Sequence, residues 1–170
     1  LARVKKAGYV ALCLTVDTAL YGRRERQLMD RWLPPSRQTA PDPKYRASLT
    51  WETMDAIKEM AGLPFILKGV ATAEDAALAV KHGVQAVYVS NHGGRQLDHG
   101  RGTIEMLSEI VAAVGGKAEI VLDGGILRGS DVLKAIALGA RAVAIGKLQG
   151  WGLAAAGQAG LVRVLELLEN

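Results

Sequence analysis

Residues 88–102 read YVSNHGGRQLDHGRG. An apolar run ends there, and a histidine, two glycines and an arginine follow it. His92 is of a residue type that titrates near neutrality, which suits proton abstraction. Gly93 and Gly94 beside it let the backbone approach a ligand closely. Arg95 carries a planar fork that matches a carboxylate in bidentate geometry. A base beside a carboxylate clamp is what a 2-hydroxy acid requires. Taken singly, His92 also fits a capped loop histidine; its company with Arg95 and with the polar ends of the other strands favours chemistry. His82 reads as a helix-end cation and His99 as a solvated loop residue.

Other apolar runs end in the same way. Lys68 closes FILKG, where a cation is costly to bury unless it faces a negative partner. It either snorkels to solvent or holds its charge against an electron-accepting ring as that ring becomes anionic. Asp17 closes LTVD and suits orienting an imidazole or capping a loop. Thr15 and Ser90 offer hydroxyls to a cofactor edge or to the strand ends themselves. VLDGGILRGSD, with Asp123, Gly124 and Gly125, and AIGKLQG, with Gly146 and Lys147, place glycine-rich turns after two successive strands. Such turns bring backbone N–H groups towards an anion.

The elements that must carry these groups are legible as five runs rich in β-branched residues: YVALCLTVD, PFILKGV, QAVYVSN, AEIVLDGG and RAVAIGK. They are apolar without alternation, the pattern of parallel strands buried on both faces. Helical patterns lie between them. LTWETMDAIKEMAG has Thr50 as a cap candidate, and TAEDAALAVKHG has Thr72 with acids in its first turn and cations in its last. TIEMLSEIVAAVG and GSDVLKAIALG share that grammar, and residues 153–170 are apolar at helical spacing. Repeated βα units predict a right-handed parallel sheet. Functional groups at every strand's C-terminal end favour a (β/α)8 barrel over a doubly wound sheet, which would gather them at one switch point. Residues 32–48, WLPPSRQTAPDPKYRAS, have no periodicity and are expected to form a mobile loop over the rim of a single domain spanning residues 1–170.

Composition narrows the classes. Of 170 residues, 49% are hydrophobic and 22% charged, a globular balance rather than a disordered one. The net charge of +4 is modest, and carboxylates interrupt the basic stretch at residues 22–37, so no nucleic-acid partner is expected. Cys13, the single cysteine, reads as a small buried hydrophobe in a reducing compartment. No run has the length of a membrane span and no signal peptide is visible, giving a cytoplasmic expectation. The chain begins with Leu rather than Met and reads as starting mid-fold.

LTVDTALYGRRE, LPFILKGVATAEDAALAVKHG, VSNHGGRQLD, LDGGILRGSDVLKAIALGA and AIGK, in this order, resemble the FMN-dependent 2-hydroxy acid oxidase/dehydrogenase family, whose members include glycolate oxidase, lactate oxidase and mandelate dehydrogenase. SNHGGRQLD is the most specific of these motifs. The resemblance implies a TIM barrel of which this chain holds about strands 4–8 with their helices, an incomplete barrel. It implies FMN as cofactor, oxidation of a small 2-hydroxy acid to the 2-oxo acid, and oxygen, a quinone or another electron acceptor. It further implies a homo-oligomer, a tetramer in the family. By matching position, His92 is the base and Asp17 its partner, Arg95 and Arg24 hold the substrate carboxylate, and Lys68 sits by the flavin. Thr15 and Ser90 contact FMN, and Asp123, Gly124, Gly125, Gly146 and Lys147 hold ribityl and phosphate. Leu127 stands where many members carry a phosphate-binding arginine, with Arg128 expected to point elsewhere, and Lys147 replaces an arginine. Two other readings stand beside this one. One is a non-catalytic or split half-barrel acting through association with another chain, because five parallel strands cannot close. The other is a different FMN barrel, which gives no reason for His92 and Arg95 together.

Overall fold

The computed structural model describes residues 1–19, 22–33 and 45–169. Its strands are β1 (Leu12–Thr15), β2 (Phe65–Val70), β3 (Ala86–Val89), β4 (Glu119–Leu122) and β5 (Ala142–Val143). All four pairings are parallel and the spatial order is β1-β2-β3-β4-β5. A doubly wound sheet reverses its order at a switch point, whereas a barrel arc keeps the chain order. The order here is the barrel's, incomplete as expected.

Seven helices accompany the strands among the described residues: α1 (Ala2–Lys6), α2 (Glu25–Met29), α3 (Trp51–Ala61), α4 (Ala73–Lys81), α5 (Thr103–Val114), α6 (Gly129–Ala137) and α7 (Lys147–Glu169). Thr50 Oγ1 accepts from the Thr53 N–H at 3.3 Å and Thr72 Oγ1 from the Asp75 N–H at 3.1 Å, so both cap candidates act. Where the cap residue has no hydroxyl, a carboxylate one turn in reaches back. Glu105 accepts from the Gly102 N–H at 3.0 Å, and Asp131 Oδ2 accepts from the N–H groups of Leu127 and Arg128, each at 3.1 Å. The long connection holds two short elements that residue pattern did not announce, α2 and a 3-10 turn at Tyr45–Ser48. Residues 34–44 of the expected mobile loop lie outside the described residues. Helix α7 starts earlier than the apolar spacing indicated and is interrupted at Ala156 and Gly157.

One face of the sheet forms the core. Phe65, Leu67, Val87, Val89, Ile120 and Leu122 pack against α3, α4 and α5 through Met54, Ala76, Ala79, Leu107 and Ile110. The opposite face carries Thr15, Lys68, Tyr88 and Val121 in register, all only partly buried. The expectation that both faces are buried is therefore corrected. In a barrel that second face is covered by strands across the axis, which this five-stranded sheet does not include. The same reason corrects Cys13, which alternates onto that face and is exposed rather than buried. Its residual burial pushes the thiol up, opposed by the charge of Lys68.

Candidate active site

The strands of a parallel arc end together, so their following loops share one rim. β1 ends at Thr15 and delivers Asp17 two residues on; β2 ends in Lys68, Gly69 and Val70. Gly69 decides how these two ends meet. It has φ +104°, and a Cβ there would lie 2.7 Å from the Asp17 Cβ and 2.8 Å from the Asp17 backbone nitrogen. Only glycine tolerates both the conformation and the approach. The register of β2 against β3 slips between Lys68 and Val70 at this same residue.

β3 leads into the turn that carries the histidine. His92, Gly93 and Gly94 have φ of +58°, +67° and +69°, three consecutive residues in left-handed backbone. For the glycines this is ordinary; for His92 it is strained, a condition that persists where surroundings dictate it. Those surroundings are on hand. The His92 N–H donates to Ser90 Oγ at 3.1 Å, and the Gly94 N–H donates to Asn91 Oδ1 at 3.0 Å. Asn91 Nδ2 in turn donates to the Arg101 carbonyl at 3.1 Å. The result aims the ring across the rim, with Nδ1 at 3.1 Å from both Asp17 carboxylate oxygens. The Asp17 side chain is only 12% exposed and that of His92 35%, so the carboxylate is the inner and the imidazole the outer member. With Nδ1–H donated to Asp17, Nε2 is left as the basic nitrogen.

Lys68 Nζ donates to Ser90 Oγ at 2.7 Å and pairs with Asp123 Oδ2 at 3.2 Å. Ser90 thus joins the lysine to the histidine turn. Asp123 follows β4, and its Oδ1 is buried without a hydrogen-bond partner among the described residues. The Thr103 hydroxyl donates to the Asp123 carbonyl at 2.6 Å and fixes this strand end. Tyr88 lies beside the pair; burial first, and then the Asp123 charge, push its phenol above the usual range. Lys147, at the start of α7, donates to the Gly93 carbonyl at 3.1 Å.

A groove of about 810 Å³ runs along this rim, a volume in the range of small-molecule sites. Lys68, His92, Arg95, Asp123, Gly124, Gly125, Gly146 and Lys147 all line it. Asp17 and Ser90 act on it through His92 and Lys68. Thr15 stands level with Lys68 in register but outside the groove lining. Arg24 is also set back, its Nη2 donating to Gln96 Oε1 at 3.2 Å. Gly22 seats that segment, since a Cβ on it would strike the carbonyl oxygens of Arg95 and Gln96. Leu127 lines the groove and Arg128 does not, as expected. Gly69, Tyr88 and Gln96 escaped the reading of the sequence. For Gln96 a signal existed, because it adjoins Arg95 in SNHGGRQLD.

The groove suits a ligand that carries an anionic group and a hydrogen-bonding edge. Cβ atoms built on Gly94, Gly125 and Gly146 would meet nothing within 4 Å, so backbone borders open space there. The N-terminus of α7 and Lys147 supply positive potential. The buried Asp123 Oδ1 has acceptor capacity to spare and Lys68 presents a cation. These features fit FMN.

Comparison with known proteins agrees. Residues 34–170 match the model of the family described as FMN-dependent dehydrogenase. The chain is 44% identical to an L-lactate oxidase from Nostoc sp., over 99% of this chain and 52% of that protein. It is likewise 44% identical to human 2-hydroxyacid oxidase 2, again over 99% of this chain and 52% of the other. Among solved structures, mandelate oxidase with 3,3-difluoro-2-hydroxy-3-phenylpropionic acid superposes with a TM-score of 0.87 at 46% identity, covering 98% of this chain and 50% of that one. The chain therefore spans about half the length of the curated relatives it matches.

Proposed function

The chain belongs to the FMN-dependent dehydrogenase family, and on that premise we propose that it serves the oxidation of a small 2-hydroxy acid to the 2-oxo acid. The observation that carries this reading is the His92–Asp17 pair at 3.1 Å, set on the same rim as Arg95 and Lys68. In this reading His92 Nε2 takes a proton from the substrate. Asp17 holds the ring in the tautomer that leaves Nε2 basic, and its charge stabilises the imidazolium that forms. Arg95 binds the substrate carboxylate through its fork, and Arg24, steadied by Gln96, supplies the second guanidinium.

Bound FMN supplies the electron-accepting ring. Lys68 and Ser90 hold its polar edge, with Thr15 nearby, and Asp123 takes a ribityl hydroxyl. Gly124, Gly125, Gly146 and Lys147 surround the phosphate. With Leu127 at the phosphate end and Lys147 offering a point charge rather than a fork, phosphate is held chiefly by backbone N–H groups. The lactate, 2-hydroxy acid and mandelate oxidases among its relatives support a small 2-hydroxy acid as substrate. Their names as oxidases favour oxygen as the electron acceptor, with a quinone as the alternative. The reading also takes the protein as a cytoplasmic homo-oligomer.

Reconstitution tests the proposal. Protein titrated with FMN and mixed with L-lactate, glycolate or mandelate is expected to form the corresponding 2-oxo acid. Failure to take up flavin, or flavin uptake without 2-oxo acid from any of the three, overturns it. A second reading, action only through association with another chain, is favoured by one feature: β1 and β5 are each paired on one side only among the described residues.

A further inference from the structure

We propose that Tyr88 is a positioning residue for Lys68, its ring fixing where the lysine charge stands in the groove. The inference rests on the reading of that groove as a flavin site. Lys68 and Tyr88 are register partners on β2 and β3, so their side chains leave the same face of the sheet side by side. The Lys68 ammonium stands 4.8 Å from the centroid of the Tyr88 ring, within cation–π range.

Two polar contacts already hold that ammonium, Ser90 Oγ at 2.7 Å and Asp123 Oδ2 at 3.2 Å. A lysine is a point charge on a flexible four-carbon stem, and two contacts leave it free to pivot. The ring supplies a third side. It also keeps water from that side, which strengthens the other two contacts. An aliphatic residue at position 88 would fill the same space on the strand but would offer no electron-rich face. Burial first, then the Asp123 charge and a hydrogen bond with its carboxylate, raise the Tyr88 phenol, so the hydroxyl also bears on the lysine's ion-pair partner. Because Ser90 Oγ also accepts from the His92 N–H, a shift of Lys68 would be felt in the histidine turn as well.

The contact is tested without flavin by NMR on protein carrying ¹³C-lysine. The Lys68 ε-methylene resonance, assigned by its loss in Lys68→Arg, is expected upfield of the other lysines because it lies over a ring. Tyr88→Phe is expected to keep that shift and Tyr88→Leu to abolish it. In FMN-loaded protein, Tyr88→Leu is expected to show a preference for reduced over oxidised flavin about fivefold weaker than Tyr88→Phe, as loss of one cation–π contact implies. A Lys68 resonance among the ordinary lysines overturns the positioning role, whatever flavin is bound. So does a Tyr88→Leu protein whose flavin preference matches that of Tyr88→Phe. A protein that takes up no FMN overturns the flavin reading instead, whatever the lysine resonance reports.

Discussion

A histidine held at φ +58° carries a backbone cost on the order of 1–3 kcal/mol, which its contacts must offset. Ser90 Oγ on its N–H and Asp17 on its ring do so, and together they define where Nε2 points. Asp17→Asn keeps the size and loses the charge; it is expected to slow reduction of the flavin by substrate about 10²- to 10⁴-fold with substrate affinity little changed, as stopped-flow absorbance would show. Arg95→Lys keeps charge and loses the fork, so a competing carboxylate such as oxalate is expected to bind about 10- to 100-fold more weakly in an inhibition assay. Gly69→Ala should act at a distance. The added methyl meets Asp17, and the rate is expected to fall towards that of Asp17→Asn although residue 69 bears no functional group. At this scale the sequence marked candidate groups at strand ends, His92, Arg95 and Lys68, and the structure brings all three to one groove. The sequence was opaque where the role lies in a contact. Gly69 looks like any strand-end glycine until Asp17 is seen against it, and Tyr88 looks like a packing residue until Lys68 is seen over it.

At the scale of elements, caps and core proved legible because they are local or periodic. Thr72→Ala removes the acceptor for the Asp75 N–H and is expected to cost about 1 kcal/mol in chemical denaturation. Leu107→Ala, at a fully buried position of α5, is expected to cost about 2–5 kcal/mol in the same experiment. The clasp between α3 and the end of α4 was not legible. His82 stacks on Trp51 with centroids 4.9 Å apart and places Nδ1 2.6 Å from Asp55 Oδ2, so it is more than a helix-end cation. The partners lie 27 residues apart, and no spacing rule joins them. The hydrogen bond from His82, followed by that from Lys58, holds the Asp55 carboxyl below its ordinary range. The unfolded chain therefore binds more protons than the folded one in that window. The clasp's contribution is complete above the ordinary Asp range and is lost as pH falls through the folded value. Urea midpoints are accordingly expected to fall more steeply on acidification in the parent protein than in Asp55→Asn.

For the whole molecule, the order of βα units was legible and the fate of the second sheet face was not. Continuous apolar runs signal parallel strands buried on both sides, but the residues that cover the inner side must come from across a barrel axis. With five strands that side stays open, which is why Cys13 is exposed and why β1 and β5 each keep a free edge among the described residues. Edges of that kind pair with other chains. The 18.0 kDa chain by itself is expected to sediment as a larger species, and a single 18.0 kDa species would speak against open edges. On the proposed function, this rim brings a base, a carboxylate clamp and a flavin charge partner to one substrate. The most direct test of that claim is anaerobic mixing of FMN-loaded protein, parent and His92→Ala, with L-lactate, glycolate and mandelate while the flavin absorbance is followed. The expected result is bleaching by at least one of the three acids, slowed about 10²- to 10⁴-fold in His92→Ala. Flavin that keeps its colour with all three, or bleaches equally fast without His92, contradicts the claim.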